Sequence, residues 1–139
     1  MNTVIRDRLS ALSRSRRVLR ISAALVLFTV YRDAPVEAQT ATQVTARVLL
    51  EFVHRCSPDQ RARLEALMED PATSSSARAV AAALLRVVHR PHPDDLPALD
   101  RLSKDASVEA GIRVVAGVLH SLTHVPTNAQ RARLQHLLE

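Results

Sequence analysis

The chain has 139 residues, enough for one domain and little more; 47% are apolar but only 2% aromatic, so any core is built from Ala, Val and Leu. Glycine occurs only at Gly111 and Gly117, which excludes a sheet held by tight Gly or Asn-Gly turns and favours helix. Of the formal charge of +5, residues 1–38 carry most, with seven Arg against Asp7, Asp33 and Glu37. Residues 39–139 hold twelve Arg and Lys against eleven acids, so the concentrated basic stripe of a duplex-binding surface is missing and nucleic acid is not an expected partner.

Residues 1–38 read as a leader. An Arg- and Ser-rich start runs into an uncharged, mostly apolar stretch, Ile21 to Tyr31, bracketed by Arg20 and Arg32. As a helix that stretch rises about 16 Å, short of the roughly 20 residues a bilayer demands. A basic segment followed by a short apolar run is the layout of a secretory signal peptide, and Val36-Glu37-Ala38 offers a cleavage site. Ser15-Arg16-Arg17-Val18-Leu19-Arg20 resembles a twin-arginine export signal, with Leu19 where Phe usually stands. An uncleaved membrane-associated anchor, an organellar transit peptide and an ordinary helix are the alternatives. Export to the periplasm or the membrane surface is the expected location, with the cytoplasm as the alternative, and contact with a membrane is expected only through this segment.

From residue 39 onward the sequence repeats with a period of 35. His54, His89 and His124 keep that spacing, as do Ala46, Ala81 and Ala116; Leu49, Leu84 and Leu119; Leu64, Leu99 and Leu134; and Leu67, Leu102 and Leu137. Gln-Arg-Ala-Arg-Leu at 60–64 returns at 130–134, two periods on. Such self-similarity marks stacked helical units, here about 39–73, 74–108 and 109–139. Each unit predicts a long helix, over 41–55, 75–90 and 109–124, and a short one, over 58–69, 93–104 and 127–138. Pro58 and Pro93 suit helix starts, and Pro91 and Pro126 stop the long helices. The expected fold is all-α: a short α-solenoid of three helical hairpins after an N-terminal hydrophobic signal segment.

Arg78, Ala81, Ala82 and Leu85, followed by Leu99, Leu102 and Asp105, resemble the HEAT-like repeats of the short form found in phycobilisome lyases. The resemblance covers about 100 residues. It implies an Asp–Arg ladder between units, Asp70 with Arg78 and Asp105 with Arg113. It also implies a concave face of short helices, where Gln60, Arg61, Arg63, Asp94, Asp95, Gln130, Arg131 and Arg133 would meet a partner protein. The first unit departs from the pattern, with Gln43 and Arg47 at positions expected to hold Arg and a small residue, which suits a capping unit facing water.

The equivalent histidines invite a metal. In an open stack, however, successive units are about 8–10 Å apart, too far for one ion with nitrogens at ~2.0–2.1 Å. Placed in the last turns of the long helices, they are expected instead to bond free carbonyls. His89 with His92 is the only local pair. Cys56, the single cysteine, can form no disulfide within the chain, and no acid orients it with His54 and Ser57 as a nucleophilic site. Asp94 and Asp95 open a helix and read as a cap. No catalytic, cofactor or metal residues are expected. The chain reads as a non-enzymatic protein-interaction or scaffold module. The alternatives are a non-exported nucleic-acid-associated repeat protein and a regulatory subunit of a modification enzyme. Leu134, Leu137 and Leu138, with no following unit to cover them, predict self-association through the last repeat.

Overall fold

The computed structural model describes residues 39–139; the leader predicted over 1–38 lies outside the described residues. Six α-helices follow in pairs: α1 (Ala41–Glu51) and α2 (Pro58–Glu69), α3 (Ser75–Arg86) and α4 (Leu96–Lys104), α5 (Ala110–His120) and α6 (Asn128–His136). A 3₁₀ turn, Pro93–Asp95, leads into α4. The described residues are thus all-helical, with one isolated bridge and no strand. None of these helices is long and apolar enough to cross a membrane.

Helix starts are fixed by local chemistry. Thr40, Ser57 and Thr127 each accept a hydrogen bond from the backbone N–H three residues on, and Gln43, Gln60 and Gln130 reach back to the capping residue's own N–H. Each such reciprocal cap is worth about 1 kcal/mol. Ser74 caps α3 through the Ala77 amide. Gln60 and Gln130, expected to meet a partner, are therefore spent on their own helices.

The long helices end earlier than the periodicity predicts, at Glu51, Arg86 and His120 rather than 55, 90 and 124. Phe52 and Val87 leave the helix in extended backbone (φ −69°, ψ 131°; φ −66°, ψ 126°) and are fully buried, as is their counterpart Leu122. Burying such a side chain yields about 1.5–3 kcal/mol, more than another turn of exposed helix offers. Four residues further on, Cys56, Pro91 and Pro126 are buried in turn. The period thus continues through the connections, and the three histidines sit in loops. Their expected place in the last helical turns is corrected.

Ala46, Ala81 and Ala116, Leu49, Leu84 and Leu119, and Leu64, Leu99 and Leu134 are all sealed from solvent. The long helices α1, α3 and α5 all touch one another, and each short helix packs on the next long one: α2 on α3, α4 on α5 and α6 back on α1. The third unit therefore returns to the first. Arg131 Nη1 donates to the Leu50 carbonyl (3.2 Å), and Thr42 Oγ1 donates to Glu109 Oε1 (2.7 Å), joining residues 81 and 67 positions apart. Head-to-tail contacts close whenever the rotation per unit returns to the start, and here three units suffice.

This closure corrects the expectation of a stack with free ends. The first unit is not a water-facing cap: α6 packs back on α1, and Gln43 and Arg47, whose identities suggested one, are half-buried. Leu134 is inaccessible too, and Leu137 and Leu138 are half-buried against the core, so the bare apolar end on which self-association was argued is absent. The Asp–Arg ladder also takes another form. Arg78 Nη2 donates to the Asp70 and Pro71 carbonyls, both at 3.2 Å, and not to a carboxylate. Asp70 Oδ1 accepts from the Ala72 amide, and Asp105 Oδ1 from the Ser107 hydroxyl (2.7 Å) and amide (2.9 Å). Short acids in turns bond their own backbone two residues on. The Ser107 hydroxyl and then its amide hold the Asp105 carboxyl below the usual carboxylate range, with Arg113 a smaller influence.

Candidate metal centre

Closure has a geometric consequence for the three loops between long and short helices. Arranged around an axis instead of along one, they bring one histidine each to a common point. The ring centroids of His54, His89 and His124 form a nearly equilateral triangle, with sides of 4.9, 4.7 and 5.1 Å. His54 meets both partners edge to face, and His89 stacks on His124 at 10°. One nitrogen of each ring lies within 4.8 Å of the other two, and His89 Nδ1 is 3.2 Å from His124 Nδ1. The spacing of 8–10 Å expected from an open stack is thereby corrected, because the units converge.

Tetrahedral Zn²⁺ with nitrogens at ~2.0–2.1 Å needs them about 3.3 Å apart. One pair already meets this, and the others close by modest rotation of exposed side chains. The set is three imidazoles with no carboxylate or thiolate in the cluster, and it leaves coordination positions open. Three neutral nitrogen donors suit zinc, copper, nickel or cobalt rather than magnesium or calcium, which demand oxygen.

The backbone of the second loop carries an independent sign. His89 has φ 65°, the sole non-glycine residue with positive φ among those described. The Arg90 amide donates to the Val88 carbonyl at 2.8 Å, closing a γ-turn centred on His89. The His89 amide in turn donates to the His54 carbonyl at 2.8 Å, tying the first loop to the second. Local folding would prefer glycine here, and strain of this kind gathers where a side chain has work beyond folding.

Neighbouring candidates fall away on geometry. Cys56 is buried, its thiol 3.4 Å from the Leu84 carbonyl, in the position that Pro91 and Pro126 fill in the other units. It packs and does not ligate. Burial pushes its thiol pKa up, with Arg61 partly opposing. Cys56 should therefore react with a thiol-specific reagent at pH 8 at least about tenfold more slowly than a free exposed cysteine. Urea should bring the rate up, and a fast native rate would contradict the packing described. His92 does not join His89: its Nδ1 accepts from Arg86 Nη2 (2.8 Å) and from the Asp94 amide (3.3 Å).

The eight residues expected to form a partner face are divided by the structure. Gln60 is buried; Asp95 pairs with Arg86 at 3.0 Å; Arg131 is spent on the Leu50 and Pro126 carbonyls; Gln130 also reaches Ser121 Oγ at 2.9 Å. Arg61, Arg63, Asp94 and Arg133 stay exposed, Arg61 opposite Glu65 at 3.8 Å. Arg133 lines an open groove of about 430 Å³ with Arg113, Gly117 and Gln130. The 35-residue spacing singled out the histidines, but their convergence carries no local signal, since it depends on the third unit meeting the first. No family model matches the chain, and no curated protein or solved structure does either.

Proposed function

We propose that residues 39–139 are a non-enzymatic binding module organised around one divalent transition-metal ion, held by His54, His89 and His124. The observation that carries this reading is the meeting of three imidazoles, one from each repeat, with nitrogens within 4.8 Å of one another. The earlier reading as a protein-interaction module is kept, with its surface moved from the short helices to the three-loop face. The resemblance to HEAT-like units supports it, since folds of that kind present surfaces more often than reaction centres, and three such units closed on themselves keep the helical-hairpin packing of a solenoid. Export under direction of residues 1–38 remains part of the proposal.

Isothermal titration of the metal-free protein with Zn²⁺ tests it. One equivalent should bind, with each single His→Ala variant at 54, 89 or 124 weakening affinity by about 100-fold or more, in line with loss of one of three ligands. His92→Ala and His136→Ala should leave it unchanged. Binding that survives all three substitutions, or none in the parent, would sink the assignment.

A further inference from the structure

An ion held by three neutral imidazoles keeps its full double positive charge and has at least one position to fill. The cluster itself supplies no acid to fill it. The loops that carry the histidines instead add positive charge. Arg55 directly follows His54 and Arg90 directly follows His89; both are exposed, and neither has an ion pair or a side-chain hydrogen bond among the described residues, unlike Arg86 with Asp95 or Arg61 with Glu65. The same loops hold three of the four large apolar side chains that are exposed among the described residues, the fourth being Met68. Val53 is 58% exposed, Val88 63% and Val125 38%, each next in sequence to one of the three histidines. A cation with an open position, two unengaged guanidiniums and three exposed valines in the same loops together define one class of complement: an anionic oxygen ligand carried on an apolar stem.

We propose that the open position of this site, given the metal reading above on which the inference rests, is filled by a carboxylate of a polypeptide partner. Its oxygen would complete the ion's coordination while Arg55 and Arg90 offer charge-assisted hydrogen bonds. The valines would cover the aliphatic part of the donated side chain, which separates a polypeptide carboxylate from a free small one. Phosphate would satisfy the charge but leave the valines uncovered.

The test uses the full chain loaded with Co²⁺, whose visible absorption reports a change in its ligands. Cobalt is titrated first; failure to bind overturns the metal reading itself, and is seen before any carboxylate is added. A short blocked peptide with one glutamate is then added, alongside its glutamine counterpart and acetate. The glutamate peptide should shift the spectrum saturably and the glutamine peptide should not, while acetate binds about tenfold more weakly. An Arg55→Ala, Arg90→Ala double variant should keep its cobalt affinity but weaken the peptide by about tenfold, as expected for lost charge complementarity. An unchanged spectrum with cobalt bound, equal responses to glutamate and glutamine peptides, acetate or phosphate binding as tightly as the peptide, or indifference to the arginine substitutions would each overturn the proposal.

Discussion

Adding Zn²⁺ to the metal-free protein should raise its melting temperature by an amount that grows with the logarithm of free metal. A ligand that binds only the folded state adds about 4 kcal/mol at a thousandfold excess over its dissociation constant. For a domain near 100 residues, each kcal/mol moves the midpoint by about 4–8 °C, so a total shift of roughly 15–30 °C is expected. The effect is large because the three ligands come from three separate repeats, 35 residues apart in sequence, and no two stay near each other once the chain unfolds. Chelator should reverse the shift. His89→Gly separates the two roles of that residue. Glycine accepts φ 65° freely, so the variant should match or exceed the metal-free parent by about 1 kcal/mol while losing most of the zinc-dependent gain. His89→Ala should lose the gain without recovering the strain. A zinc-dependent shift that persists in His89→Gly would show that the ion sits elsewhere.

How much of this was legible in the sequence depends on the range of the interaction. Helix positions and the inward-facing Ala and Leu series were readable, because propensity and a 35-residue period are local or repeat identically. The caps were not, since Asp94 and Asp95, read as a cap, face Arg86, and Asp95 makes no side-chain cap bond. The ends of the long helices were not, because Phe52 and Val87 continue an apolar pattern as well in helix as out of it. Only the pocket waiting for them decides. Closure was invisible for a stronger reason. It depends on the rotation between neighbouring hairpins, and no single repeat states that rotation. The reading of His54, His89 and His124 as a widely spaced ladder failed with it. The Asp–Arg ladder failed differently, since Asp70 and Asp105 found donors two residues away before any arginine reached them.

Closure itself makes the second large prediction. In an open array the last leucine of the Leu64, Leu99 and Leu134 series would sit at a bare end, and its removal would cost little. Here all three are sealed, at 0, 1 and 0% exposure. Truncating each to Ala should therefore destabilise by a similar amount, about 2–5 kcal/mol, measured by urea unfolding. Leu134→Ala costing less than about 1 kcal/mol would argue for an open end in solution. The seam between first and third units gives a sharper version. A Cβ on Gly111 would collide with the Thr42 methyl and lie 2.8 Å from its hydroxyl, so Gly111→Ala must push α5 away from α1 at a cost of about 1–3 kcal/mol. Thr42→Ala alone removes the hydroxyl bond to Glu109, worth about 1–2 kcal/mol with a charged acceptor. Combined, the two should cost clearly less than their sum, because the second change removes the atoms the first collides with. Strict additivity would mean that Gly111 and Thr42 do not touch, and the ring would then have no seam there to close.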